Sequence, residues 1–431
     1  MKLRNFLIIG LVLGLSFSSC KKEDDDPLDV GYTNLTDEEN KEKIEDEGIK
    51  MVGELDQLKE TDAVDVSVNL AELLDTLFSE EETPPMMKPI GLVASLADGD
   101  VSPGQVFDGL KAATEEPGNL TDIWEMVAAK YTWNPVTESW DSSGSADAII
   151  FEFPGLETDA TNTASLTIDG FTVKTITTPI DPIIDDIGNE LPTGLEIALK
   201  YNSVDIITYS LSASYEDDGV PTSLSSVLTI DEFSWSLDIT HKPYSEAGIT
   251  ASFKHADKIL MEGHVDTKGN WTKDNIDENT AEEDDPYIEN IIFEGNAYIQ
   301  VMNIKVAGDI DVKNLVPVIR DLEEQYPGED DDYTQAYNEA FAKAMNDHVR
   351  LIVVYADENK KIGEAEAYAY HDVEYNEWHT DIRFVFADGS KSDIETYFGQ
   401  GFSDLEAELN AFIAEIDAEH GTGIGPTDFT E

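Results

Sequence analysis

The sequence predicts an α+β fold with an N-terminal helical region, a large curved antiparallel β-sheet meander, and C-terminal helices packed on the sheet. Three observations predict it. Apolar residues recur at helical spacing from about residue 36 to 130. From 131 to about 312 they recur every second residue, as in half-buried strands. Beyond 312, helical stripes return, interleaved with short apolar runs. The chain has 431 residues and is 41% hydrophobic, enough for a substantial core.

In the first region, residues 36–130, Thr36-Asp37-Glu38-Glu39 has the spacing of a capping box. A helix runs from it toward Leu58, with Ile44, Met51, Val52, Leu55 and Leu58 as its apolar stripe. The stretch 66–78 follows, carrying Val66, Leu70, Leu73, Leu74 and Leu77 at helical spacing. Ser102-Pro103 reads as a helix entry, and Leu110 continues that helix's inner face. The stretch 120–129 carries Leu120, Ile123, Trp124 and Val127 on one side. Pro84-Pro85 and Pro117-Gly118 separate these pieces.

Residues 131–312 form the sheet region. Tyr131-Thr132-Trp133 and Glu138-Ser139-Trp140 flank Asn134-Pro135 as two arms of a hairpin. Ile207, Tyr209, Leu211, Ala213 and Tyr215 alternate with hydroxyl residues, and Asp217-Asp218-Gly219 supplies a turn. The next strand is read as one long element, 223–240. Its apolar parity slips between Leu228 and Ile230 on one side and Phe233, Trp235, Leu237 and Ile239 on the other. A β-bulge at Asp231-Glu232 is expected to absorb the slip and curve the sheet. Further strands are read at 249–253, 258–266, 288–293 and 297–311.

Residues 313–431 are read as completing the same domain. Helices are expected at 315–325 and 334–348, and strands at 351–355, 362–373 and 378–387. Asp388-Gly389 reads as a turn, and Ser403 as the cap of a last helix.

The N-terminus says where the chain goes. It has a basic start (Lys2, Arg4), an apolar run over 6–15, and small residues before Cys20, the only cysteine. That is secretory-signal grammar, and the run is too short to span a bilayer, which takes about 20 apolar residues. Phe17-Ser18-Ser19-Cys20 resembles a bacterial lipobox, although Phe17 stands where the family favours Leu. Lys21-Lys22-Glu23-Asp24-Asp25-Asp26 resembles the export signal of surface lipoproteins of the Bacteroidota. The resemblance implies cleavage after residue 19, lipid on Cys20, and an anchored protein of the outer membrane facing the cell exterior. Residues 1–19 are then the signal peptide and 20–35 a lipidated acidic tether, with a contour of about 50 Å if extended.

Composition limits the partners. There are 27 Lys+Arg against 91 Asp+Glu, a net charge of -64. This excludes non-specific binding to nucleic acid, which requires neutralised phosphates. It also leaves the lipid, rather than the protein surface, to hold an anionic membrane. Calcium is the one cofactor the acidity leaves open, at Asp98-Gly99-Asp100, at 282–285 or at 329–332. The first of these departs from an EF-hand loop, because Pro103 stands where Gly is needed and Gly109 where the bidentate Glu belongs. The seven histidines lack the spacing that places two imidazoles on one metal. No nucleophile elbow or phosphate-binding glycine loop is present. Trp133, Trp140, Trp235, Trp271 and Trp378 could stack on a sugar, but strand aromatics more often pair within a sheet.

No catalytic, cofactor or metal residue is therefore assigned, and Cys20 is the one assigned site. The leading expectation is a non-catalytic surface lipoprotein that binds or scaffolds an external ligand or protein. One alternative is an envelope carrier of lipid or another apolar ligand, since a helix-covered curved sheet is similar in outline to the half-barrel of periplasmic lipoprotein carriers of the LolA and LolB type. The other is a hydrolase of surface polysaccharide.

Overall fold

A computed structural model of the chain describes residues 28–57, 62–75, 120–145, 147–178, 189–280, 287–326, 334–393, 397 and 402–420. Cys20, the lipobox, the helix entry at Ser102-Pro103 and the three acidic stretches considered for calcium lie outside the described residues. Within them the chain is α+β with a sheet-dominated core. The first elements are α1 (Asp37–Asp56), α2 (Asp62–Asp75), α3 (Leu120–Val127), β1 (Ala129–Asn134), β2 (Ser139–Ser145), β3 (Ile149–Phe153) and β4 (Ala164–Thr175). There follow β5 (Glu190–Tyr201), β6 (Val204–Tyr215), β7 (Pro221–Ile230), β8 (Phe233–Lys242), β9 (Glu246–His255), β10 (Lys258–Gly269) and α4 (Lys273–Asn279). After a 3-10 turn (Ile288–Asn290) come β11 (Ile292–Val301), β12 (Ile304–Ile310), α5 (Val312–Gln325) and α6 (Gln335–His348). The last are β13 (Val349–Tyr355), β14 (Lys360–Asp372), β15 (Glu377–Val385), β16 (Lys391–Asp393) and α7 (Ser403–His420).

The chain divides into two compact units. One is Gln57–Thr240, and the other joins Met1–Asp56 to His241–Glu431. The helical region read as continuous over 36–130 is thus divided between them, because α1 packs with α7 rather than with α2.

In the unit Gln57–Thr240 the strands lie in the order β8-β7-β6-β5-β4-β3-β1-β2. Neighbours are antiparallel except β1 and β3, which are parallel (Tyr131 opposite Phe151), so the expected antiparallel meander is broken at that pair. The core joins Ala63, Val66 and Leu70 of α2 to Trp133, Ile149, Phe151, Phe153, Leu166 and Leu199 on one sheet face. Each fully buried Phe or Leu here contributes roughly 1.5–3 kcal/mol. Asn69 donates from Nδ2 to the carbonyl of Pro154 (2.6 Å), and Trp140 donates from Nε1 to that of Leu73 (3.1 Å).

The long strand expected over 223–240 is two strands. β7 and β8 form a hairpin with Ile230 opposite Phe233, and Asp231 takes a positive φ of 49° in the two-residue turn. A two-residue turn pairs residue i with i+3, so apolar parity must change across it. The slip is the hairpin itself, and no bulge at Asp231-Glu232 is available to curve the sheet. A register shift does occur in β4, between Asp169 and Thr172, where Gly170 has φ +63°. The stretch 297–311 is likewise two strands, with Val301 opposite Ile304 and Met302 at φ 50° in the turn. Residues 288–290 are a 3-10 turn rather than the start of a strand.

The second unit has strands in strict sequence, β9 to β16, all antiparallel. The capping box forms as expected. The Thr36 amide donates to Glu39 Oε2 (2.8 Å) and the Glu39 amide donates to Thr36 Oγ1 (3.3 Å); the first of these, and then the Thr36 hydroxyl donating to Glu39 Oε2 (3.1 Å), hold the Glu39 carboxyl below its ordinary range. Ile310, Val312, Leu315, Ile319 and Ala344 form one core under α5 and α6. Val353, Tyr355, Ile362, Phe384, Phe386 and Tyr397 form another, reached by Leu35 and Ile44.

Residues 28–35, read from sequence as tether, are packed. Leu28 is buried with Ala307, Ile352 and Val354, beside Val30 and Tyr298. The Thr33 amide donates to the Lys361 carbonyl (2.8 Å), and the Lys361 amide donates to that of Gly31 (3.0 Å). Leu28, Val30 and Leu35 outweigh the acidic composition around them. The contour left between Cys20 and Leu28 is at most about 30 Å.

Candidate functional site

The hairpin β14–β15 carries an unusual alternation. In β14 the sequence Glu364-Ala365-Glu366-Ala367-Tyr368-Ala369-Tyr370-His371 alternates alanine with large residues. Strands normally turn large apolar groups toward the core. Here the alanines share a face with Phe384, Ile382, Thr380 and Trp378, and α6 packs on that side. Asn346 of α6 donates to the Ala367 carbonyl (2.8 Å), and Asn338 donates to that of Trp378 (2.9 Å). Small residues let the helix backbone approach, so the rings go to the opposite face.

That opposite face is a ladder. Tyr370 stands across from His379, with ring centroids 5.6 Å apart, and Tyr368 lies 6.1 Å further along β14. The Arg383 guanidinium sits 4.2 Å from the Tyr368 ring centre. Two residues of strand advance about 7 Å, so the pleat itself spaces the rings. Tyr370 remains 37% exposed. Charged groups border the stack. Tyr368 donates its hydroxyl to Asp393 (2.7 Å), Arg383 Nε bonds Glu366 (3.0 Å), and Lys391 Nζ meets the same Glu366 oxygen (2.6 Å). Lys391 first, and then Arg383, hold the Glu366 carboxyl below its ordinary range. Partial burial, and then the bond to Asp393, raise the Tyr368 hydroxyl. The arrangement can stack a flat apolar surface and offer hydrogen bonds at its edges. Among the described residues it holds no nucleophile activated by a base.

Two other clusters tie elements together. Glu54 of α1 receives His255 Nδ1 (2.5 Å) and the Lys258 ammonium, and both, Lys258 first, hold its carboxyl low. On the face that receives Leu28, Lys305 Nζ lies 3.3 Å from the Tyr298 ring centre, and Tyr298 donates to Glu262 (2.7 Å). Burial lowers the Lys305 ammonium and raises the Asp266 carboxyl. His264 stacks on Tyr298 at 5.1 Å and bonds Thr250 (2.6 Å).

The tryptophans separate. Trp133 is buried and meets Trp140 edge-on at 5.5 Å, and Trp140 meets Phe151 at 5.3 Å. Trp235 pairs with Leu228 across β7–β8, and Trp271 stacks on His241. Trp378 lies against His371 at 5.3 Å, on the α6 side of its hairpin. His371 and His379 therefore project from opposite faces of one hairpin. No three His, Cys, Asp or Glu side chains converge for a metal among the described residues. None of the described helices is long and apolar enough to cross a membrane. The ladder is absent from the sequence-level site. Its signal was the alternation of alanine with tyrosine over 365–370, which inverts the usual burial pattern. Comparison with family models, curated proteins and solved structures finds no match for this chain.

Proposed function

We propose that this chain is a non-catalytic binding protein of the cell surface, held at the outer membrane by lipid on Cys20. The observation that carries the binding role is the ring ladder of Tyr368, Tyr370 and His379, set on the hairpin face away from α6. Aromatic rings kept half-exposed while alanines occupy the covered face are a poor use of apolar area for stability. They are suited to an external ligand. The lipid supports the location, since the -64 net charge gives the protein surface little attraction for an anionic bilayer. Stable anchoring needs more than one acyl chain, at about 0.8 kcal/mol per buried methylene. The docked segment 28–35 supports a short leash, which keeps the sheet near the membrane.

Fractionation of cells expressing Cys20→Ser tests the anchor. The wild-type chain sediments with the outer membrane and is cleaved by protease added to intact cells, whereas the variant is recovered in the soluble fraction. A variant that stays with the membrane, or a wild-type chain shielded from external protease, rules out this location.

A further inference from the structure

We infer that the ladder on β14–β15 binds a neutral glycan, with a pyranose ring stacked on Tyr370, since the Arg383 guanidinium already lies over the Tyr368 ring, and with hydroxyls bonded by the groups beside it. This rests on the reading of that face as a binding surface and adds the class of ligand.

The composition of the face selects the chemistry. Between Glu366 and Asp372 on β14, and between Glu377 and Arg383 on β15, the residues on this side are aromatic or charged. They are Glu366, Tyr368, Tyr370 and Asp372, opposite Arg383, Asp381, His379 and Glu377. No aliphatic side chain stands among them. A hydrophobic protein partner or an acyl chain would meet charge in three of these four cross-strand pairs and strip the hydration of those groups. A pyranose has the complementary form. One or both faces carry C–H bonds that rest on an electron-rich ring, and the rim carries hydroxyls that both donate and accept. Carboxylates at Glu366, Asp381 and Asp393 accept, while Arg383 and Lys391 donate. Tyr370 has Tyr368 beside it along β14 and His379 across from it on β15, so a polymer running along the strand meets further rings and polar groups on either side of the stacked sugar.

Net charge selects among glycans. At -64 the protein repels polyanions at ordinary ionic strength, so uronate and sulfated polymers are disfavoured.

The test uses the purified, lipidated mature chain in detergent, where anchoring plays no part, so failure here leaves the location intact and the reverse holds too. It is screened against an array of neutral plant, algal and microbial glycans, with alginate and poly-lysine as charged controls. Any neutral polymer that binds is titrated by calorimetry. The expected result is binding to a neutral glycan, none to alginate, and a loss of roughly tenfold or more in Tyr370→Ala, in line with a lost stacking platform. Tyr370→Phe retains affinity within about threefold, since the ring and not the hydroxyl does the stacking. Thermal melting of Tyr370→Ala close to wild type separates lost binding from lost fold. Absence of neutral-glycan binding overturns the inference, as does binding that Tyr370→Ala leaves unchanged. Binding to poly-lysine alone would make the face a surface for cationic protein and equally overturn it.

Discussion

The hairpins β1–β2 and β14–β15 share a loop and differ in which face carries the rings. Each loop has four residues, 135–138 and 373–376. In each, the residue before the loop accepts from the amide two residues on, Asn134 from Val136 (3.1 Å) and Asp372 from Glu374 (2.8 Å). In each, the last loop residue has positive φ, Glu138 at 49° and Asn376 at 57°. Counting back from the loop along the first strand, the two hairpins then diverge. β1 reads Trp133, Thr132, Tyr131, Lys130, with rings toward the core. β14 reads His371, Tyr370, Ala369, Tyr368, with two of its rings on the face away from α6. A similar loop therefore does not set where apolar area goes. The residue type at alternate positions does, and what covers the opposite face decides whether it is buried.

The largest expected effect breaks the comparison at its buried side. Trp133→Ala empties a buried site bounded by Trp140 and by the Phe151 cluster, and lowers the stability of its unit by about 3–5 kcal/mol. Tyr370→Ala, on the half-exposed ladder, removes cross-strand contacts worth roughly 0.2–1 kcal/mol. Urea unfolding followed by circular dichroism measures both. Equal losses in the two variants would mean that the ladder is a second core and not a binding face.

Much of the fold was legible, for a physical reason in each case. The capping box at Thr36 and Glu39 works through bonds local in sequence, so it forms as read. Asp217-Asp218-Gly219 and Asp388-Gly389 also form as read, because Gly219 and Gly389 take φ of 93° and 80°, where other residues are strained. The two-residue hairpins at 231–232 and 302–303 were hidden. Neither has the Gly or Asn-Gly that marks such turns, and Asp231 and Met302 adopt positive φ because the pairing on either side fixes it. The docking of Leu28 was hidden too, since three apolar residues in an acidic stretch declare no partner until β12 and β13 are in place. The ladder lay in plain view as alternation, but periodicity alone does not say which parity a helix will cover.

Acid provides a smaller and local effect. Glu366 is held below its ordinary value of 4.5 by Lys391 and then Arg383. A group with a depressed folded pKa stabilises at pH above its unfolded value, and that contribution is lost as pH falls through the folded one. The charged network beside the ladder should therefore loosen below about pH 4.5, while the apolar contacts of Trp133 with Trp140 contain nothing that titrates there. Hydrogen exchange of the Tyr368 and Arg383 amides should accelerate at acid pH relative to those of Trp133 and Trp140, after correction for intrinsic rates. Glu366→Gln should abolish the difference, at a cost of about 1 kcal/mol or less at neutral pH. Acid-induced opening that is uniform across both hairpins would place the sensitive groups elsewhere.

The smallest effect sharpens what the loops share. Positive φ brings Cβ toward the following carbonyl at a cost of roughly 1–2 kcal/mol for an ordinary residue, and asparagine offsets part of this through its short polar side chain. Glu138 and Asn376 occupy equivalent positions, both exposed, with similar φ. Exchanging the residue types should then produce opposite shifts of similar size. Glu138→Asn raises stability by a few tenths to about 1 kcal/mol, and Asn376→Glu lowers it by a comparable amount. Melting temperatures of the two variants and of the double exchange provide the check. If both single changes move stability in the same direction, side-chain contacts specific to each hairpin outweigh the backbone, and the two loops are alike only in outline.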